Sequence, residues 1–257
     1  EIFDTNNEIR ELEYAERREI NKILLAFTNL LRPEIPDLIK AWNLLGLIDF
    51  IRAKSLLSNE YKCVVPELTD EPMFLWRQAR HPLLEQKLKS QDKHITPLDL
   101  NLDKDNRILV ISGPNAGGKS VCLKTIGLVQ YMLQCGLAVP MEVDSKCGVF
   151  HDMFIDIGDS QSLENDLSTY SSHLLNMKEL IRQANKRTLF LIDEFGTGTE
   201  PQLGGAIAEA ILLKMNEKKS FGVVTTHYAN LKLLADKHQG IVNGAMLFDT
   251  RYLQPLY

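Results

Sequence analysis

One stretch narrows the possible folds more than any other. The apolar run Ile108-Leu109-Val110-Ile111 leads into Gly113-Pro114-Asn115-Ala116-Gly117-Gly118-Lys119-Ser120, and an apolar helical pattern follows. The eight residues fit G-x-x-x-x-G-K-[S/T], and a strand before and a helix after form the context that its mechanism requires. Glycines let successive backbone N–H groups wrap around phosphates, while the helix N-terminus adds its positive end. In that arrangement Lys119 reaches the β- and γ-phosphates and the Ser120 hydroxyl binds Mg²⁺. The binding segment for ATP then runs from Gly113 through Val121.

A phosphate site of this kind needs a second element to hold the metal. Thr188-Leu189-Phe190-Leu191-Ile192 reads as an apolar strand ending in Asp193-Glu194, the pattern of a Walker B segment. Asp193 would complete the Mg²⁺ shell through water. Glu194, one residue farther, is placed to orient and deprotonate an attacking water. The run Phe221-Gly222-Val223-Val224-Thr225-Thr226-His227 reads as another buried strand ending in His227, which is placed to contact the γ-phosphate or the attacking water and to sense hydrolysis. Ser168 and Thr169 precede Leu174, Leu175, Met177, Leu180 and Ile181 at helical spacing. Taken alone they read as a helix cap. As a fourth element of a nucleotide site, the same hydroxyl-rich N-terminus reads as an anion site.

Around these motifs the chain alternates. Strands are expected over 107–111, 147–155, 188–192 and 221–225, with helices over 119–134, 168–184, 202–215 and 229–235. Continuous apolar strands between helices imply an α/β fold with the sheet covered on both faces. The region before them differs. Residues 5–58 read as helix, with Ile9, Leu12, Ile20, Ile23, Leu24, Phe27 and Leu31 on one face and mixed charges opposite, interrupted by Pro33 and Pro36. So much helix without strands suggests an arm or stalk. From Cys63 onward Pro66, Pro72, Pro82 and Pro97 punctuate short apolar segments that read as strands and turns. The expected division is a helical segment over 1–60 and an ATPase domain over 61–257.

Composition removes several classes. At 257 residues, 44% hydrophobic and 25% charged, the chain is globular rather than disordered or fibrous. Its net charge of −5 gives no bulk electrostatic grip on nucleic acid, so any such role rests on a local patch or on other segments. No apolar run approaches the ~18 residues of a membrane span. The start carries no signal-peptide pattern, and the missing initiator Met and abrupt end read as a piece of something longer. Cys63, Cys122, Cys135 and Cys147 lack C-x-x-C spacing and read as reduced thiols, with Cys122 and Cys135 buried in a helix, in a cytoplasmic protein.

Taken together, the phosphate loop, Ser168-Thr169-Tyr170, Asp193 to Thr199, Thr225-Thr226-His227-Tyr228 and Arg80-His81-Pro82-Leu83-Leu84 resemble the ATPase domain of the MutS family. Ser168 to His173 and the ending Asn243 to Asp249 are similar to its bacterial type II branch rather than the mismatch-recognising type I. The resemblance covers nearly the whole chain. It implies an ABC-type P-loop ATPase with a mixed, largely parallel sheet flanked by helices, preceded by a helical lever segment. It also implies a homodimer in which one subunit's Lys119 loop binds ATP and the other's Ser168 closes it in trans, with Gly196 to Thr199 crossing the interface. The transporter signature Leu-Ser-Gly-Gly-Gln is absent, as expected of MutS relatives. For the type II branch the implied partners are branched DNA, in suppressing recombination, or collided ribosomes. Both would be gripped through regions largely outside this chain, as is the small nuclease domain. The alternative is a type I mismatch-repair ATPase, which would share every catalytic residue.

Overall fold

Strands that are apolar at every position need cover on both faces, and that requirement organises the protein. The computed structural model describes residues 2–113, 118–158, 166–197, 200–245, 248–249 and 254–255, and only the backbone of 166–172, 248–249 and 254–255. It divides into two units, 1–56 and 57–257. In the first, helix α1 (Ile2–Leu31) is followed by a 3-10 turn (Arg32–Glu34) and by α2 (Ile35–Glu60), whose last residues enter the second unit. Pro33 lies in the turn. Pro36 sits in the first turn of α2, where a missing backbone N–H leaves no bond unmade.

The second unit carries β1 (Glu67–Thr69), β2 (Phe74–Ala79), α3 (Pro82–Lys89), β3 (Leu98–Leu102), β4 (Asn106–Ser112) and α4 (Lys119–Gln134). Then follow β5 (Lys146–Gly148), β6 (Asp152–Asp156), α5 (Asp166–Gln183), β7 (Thr188–Ile192), α6 (Pro201–Glu217), β8 (Phe221–Thr226), α7 (Ala229–Lys237) and β9 (Gly240–Ala245). A short antiparallel pair, β10 (Phe248–Asp249) and β11 (Gln254–Pro255), follows. The main sheet has the order β6-β7-β8-β4-β9 and all its pairings are parallel. A second, mixed sheet has the order β1-β5-β2-β3.

Alternate residues of the main sheet feed two cores. Leu189 and Leu191 of β7 join Leu123, Ile126 and Val129 of α4, with Phe74 and Trp76 of the second sheet. Phe190 and Ile192 face the other way, onto Met177 and Leu180 of α5, Ala208 and Leu212 of α6, and Leu231 of α7. The parallel sheet is therefore covered by α4 and the small sheet on one face and by α5, α6 and α7 on the other. Gly222 belongs to this packing, since a Cβ there would lie 2.2 Å from the Phe190 ring.

Four sequence expectations need correction. The single strand expected over 147–155 is two strands in different sheets, β5 pairing with β1 and β2 while β6 pairs with β7. The strand-and-turn region holds helix α3, started by His81, whose Nδ1 accepts from Leu84 N at 3.2 Å, and by Pro82 at its first position. Strands β3 and β9 were not expected, because Asp99, Asn101, Asn243 and Gly244 break their apolar pattern. Cys135 is exposed rather than buried, because it caps the end of α4.

Cys122 and Cys147 are buried, and burial pushes both thiols up to about 12, with the Trp76 indole opposing the shift at Cys147. Among the described residues no helix is long and apolar enough to cross a membrane. Thiol titration with a disulfide reagent at pH 8 should modify Cys135 at once and leave Cys122 and Cys147 unreacted until the protein is unfolded. Rapid labelling of Cys122 in the native state would contradict this packing.

Candidate functional site

Because the main sheet is parallel, β4, β7 and β8 end at one edge, the edge where open α/β sheets bind ligands. Ser112 at the end of β4 pairs with Thr226 at the end of β8, and Ile192 of β7 pairs with Val224 of β8. Lys119 opens α4 after β4, Asp193 and Glu194 follow β7, and His227 follows β8. The topology thus carries four of the sequence-predicted residues to the same edge.

Lys119 is only 2% exposed. Its ammonium donates to the Gly113 carbonyl at 2.5 Å and lies 3.3 Å from His227 Nε2. Burial pulls the Lys119 pKa down from the usual lysine range, while Glu194 and Asp193 act to hold it up and Lys232 adds to the lowering.

The two acids are fixed by Thr225, which belongs to the motif Thr225 to Tyr228 and has no role of its own legible in the sequence. The Thr225 hydroxyl donates to Asp193 Oδ1 at 2.5 Å and accepts from the Glu194 N–H at 2.8 Å. The Thr225 carbonyl accepts from Phe195 N at 2.8 Å. Thr225 is fully buried, so these bonds form away from water, where an unmade one is costly. Glu194 has φ 49°, a left-handed conformation that strains a residue with a side chain and that recurs at functional sites. Two residues on, Gly196 has φ 92°, and a Cβ there would lie 2.8 Å from both the Gly204 carbonyl and the Tyr228 ring. The Tyr228 hydroxyl donates to the Gly196 carbonyl at 3.0 Å, and Asn230 bonds Gly205 O and Glu209. The segment after β7 is therefore fastened to the segment after β8 at several points.

Of the expected loop, Pro114, Asn115, Ala116 and Gly117 lie outside the described residues, as do Gly198 and Thr199 of the segment after β7. Gly118 is the N-cap of α4, Ser120 is half-buried in its first turn, and Val121 is exposed. Ser168 belongs to the first turn of α5, and its side chain lies outside the described residues. Among the described residues no group of three or more His, Cys, Asp and Glu is gathered that could hold a metal alone. Ser120 carries a hydroxyl and Asp193 a carboxylate, oxygen donors of the type that suits Mg²⁺, which keeps several waters and takes phosphate oxygens.

Beside Gly118 and Val121 opens a cavity of about 410 Å³ lined by Leu84 and Leu88 of α3 and by Ile95, Pro97 and Leu98. It is largely apolar and adjoins the start of α4.

These features define a mixed α/β domain with a parallel sheet flanked by helices and polar residues converging at its C-terminal edge. The family model for MutS domain V matches residues 109–254. Over its full length the chain is 40% identical to "Endonuclease MutS2" of Enterococcus faecalis, 42% to the protein of that name in Ligilactobacillus salivarius and 41% to that of Fusobacterium nucleatum. It spans 32% of each of those relatives. The chain belongs to the MutS family, in its type II, MutS2-like branch.

Thr225→Val keeps the side-chain shape and deletes the hydroxyl. It should cost about 1–3 kcal/mol in denaturant unfolding, and Thr225→Ser should cost less. Equal stability of Thr225→Val and wild type would show that the hydroxyl does not fasten the acids.

Proposed function

We propose that this chain is the ATP-binding and ATP-hydrolysing part of a dimeric MutS-type protein. The observation that carries the reading is the meeting of Lys119, Asp193, Glu194 and His227 at one sheet edge, with Thr225 bonded to both acids. Residues Gly113 to Val121 wrap the phosphates, with Lys119 leaving the Gly113 carbonyl to bond them instead. Ser120 and Asp193 would hold Mg²⁺, Asp193 through water, and the bound ion would supply neutralisation of phosphate charge. Glu194 orients the attacking water and accepts its proton, and its left-handed backbone turns it away from the line of β7. His227, already paired with Lys119, meets the γ-phosphate. The apolar cavity next to Val121 takes the adenine base. Ser168, at the start of α5, closes the nucleotide of the partner protomer.

In the full-length protein this ATP cycle drives clamping of a nucleic-acid object, branched DNA or a collided ribosome, with residues 1–60 as part of the lever. The type II relatives favour this over the mismatch-repair alternative. The endonuclease activity in the relatives' name is assigned to parts of them outside the matched region.

Lys119→Ala should abolish or strongly weaken ATP binding in calorimetry, and unchanged affinity would sink the phosphate-site assignment. Glu194→Gln should retain Mg·ATP binding and lose turnover by ~10²-fold or more; wild-type turnover would remove the general base.

The trans role of Ser168 is tested by mixing. Lys119→Ala and Ser168→Ala homodimers of the full-length protein should both be inactive. With free exchange at equal amounts, half the dimers are mixed and each has one intact site, so activity should return to about a quarter of wild type for independent sites. No rescue despite proven exchange would make Ser168 a cap of its own helix.

A further inference from the structure

The Asp156–His173 pair lies beside the acids and is not used in the chemistry above. Asp156 is the last residue of β6, next to β7 in the sheet. Its carbonyl accepts from the Asp193 N–H at 3.0 Å, so its backbone holds the proposed metal-binding acid. Its carboxylate, 12% exposed, is bonded through Oδ2 to His173 Nδ1 at 2.8 Å. His173 stands on α5, five residues after Ser168 on the same helix. Asp156, His173, Asp193 and Glu194 line one cleft, which is otherwise walled by apolar residues of α5 and α6 such as Met177 and Ile207. One residue of β6 thus bonds the metal acid through its main chain and the helix bearing Ser168 through its side chain.

We propose that Asp156 and His173 are positioning residues for ATP hydrolysis, forming a tether that sets the start of α5 relative to Asp193 and Glu194. This rests on the ATPase reading above. In a dimer, α5 meets the partner's nucleotide while Asp193 and Glu194 serve the protomer's own. The tether therefore ties closure over one nucleotide to the alignment of the acids at the other. It touches no reacting atom. Removing it should disturb alignment and leave intact the loop that binds phosphate. Misplacement of catalytic groups by a fraction of an ångström to one ångström is costly in rate while leaving ground-state binding largely untouched.

The test uses the full-length dimer with the variants His173→Leu, His173→Lys and Asp156→Leu, the double Leu variant, and Glu194→Gln as reference. Nucleotide Kd is measured by titration of a fluorescent ADP analogue, and steady-state ATPase gives kcat and KM. His173→Leu and Asp156→Leu should each lower kcat by roughly tenfold or more, with Kd unchanged within about twofold. The double variant should be no worse than either single one, because both delete the same bond. His173→Lys, which still donates to Asp156, should keep most of the activity, whereas a residue that merely filled space would be better replaced by Leu. A kcat for His173→Leu within about twofold of wild type would overturn the tether, as would additive losses in the double variant or a parallel loss of nucleotide affinity. Glu194→Gln separates the two levels. If the wild-type dimer does not hydrolyse ATP, the ATPase reading falls; if Glu194→Gln turns over like wild type, its role as general base falls; if Glu194→Gln is inactive while His173→Leu is not, only the tether falls.

Discussion

Parallel pairing of β7, β8 and β4 is the constraint on which the rest of the molecule depends. It requires crossover connections, places α4 on one face and α5, α6 and α7 on the other, and sends three strand ends to a common edge. Only with those ends adjacent can the Thr225 hydroxyl, on β8, bond both the Asp193 carboxylate and the Glu194 backbone just beyond β7. The same adjacency brings His227 within 3.3 Å of the Lys119 ammonium. Stability and site share one set of contacts. The apolar alternation that buries Leu191 on one face and Ile192 on the other also fixes where Asp193 emerges.

That edge is held by hydrogen bonds internal to the chain. Lys119, almost wholly buried, uses the Gly113 carbonyl and the His227 ring as partners. A buried ammonium without such partners would be expensive, and two carboxylates nearby act to keep it charged. Glu194 accepts a strained backbone, which the Thr225 and Phe195 bonds over-determine.

Much of this was legible in the sequence, for a physical reason. β4, β7 and β8 are buried on both faces, so they read as unbroken apolar runs, and the residues after them stand out by contrast. The small sheet did not read so clearly. β3 alternates Asp99 and Asn101 with buried Leu100 and Leu102, and β5 and β6 are joined by only three residues, so a run that changes sheets looks like one strand. Helix α3 was hidden by Pro82, a breaker in most contexts and here the first helical residue. Within the site, the motif residues were visible and their fastenings were not. Thr225 looks like any strand threonine, and Asp156 and His173 are 17 residues apart with nothing in their spacing to join them.

The claim at the centre of this account is that Mg·ATP is received at the shared edge of β4, β7 and β8. Hydrogen–deuterium exchange on the full-length protein, with and without a slowly hydrolysed ATP analogue and Mg²⁺, tests it most directly. The account predicts new protection concentrated in residues 112–121, 192–197 and 225–228, with little change in β1, β2 and β5. Saturating nucleotide that protects none of those three segments, or protects the small sheet in their place, would contradict it.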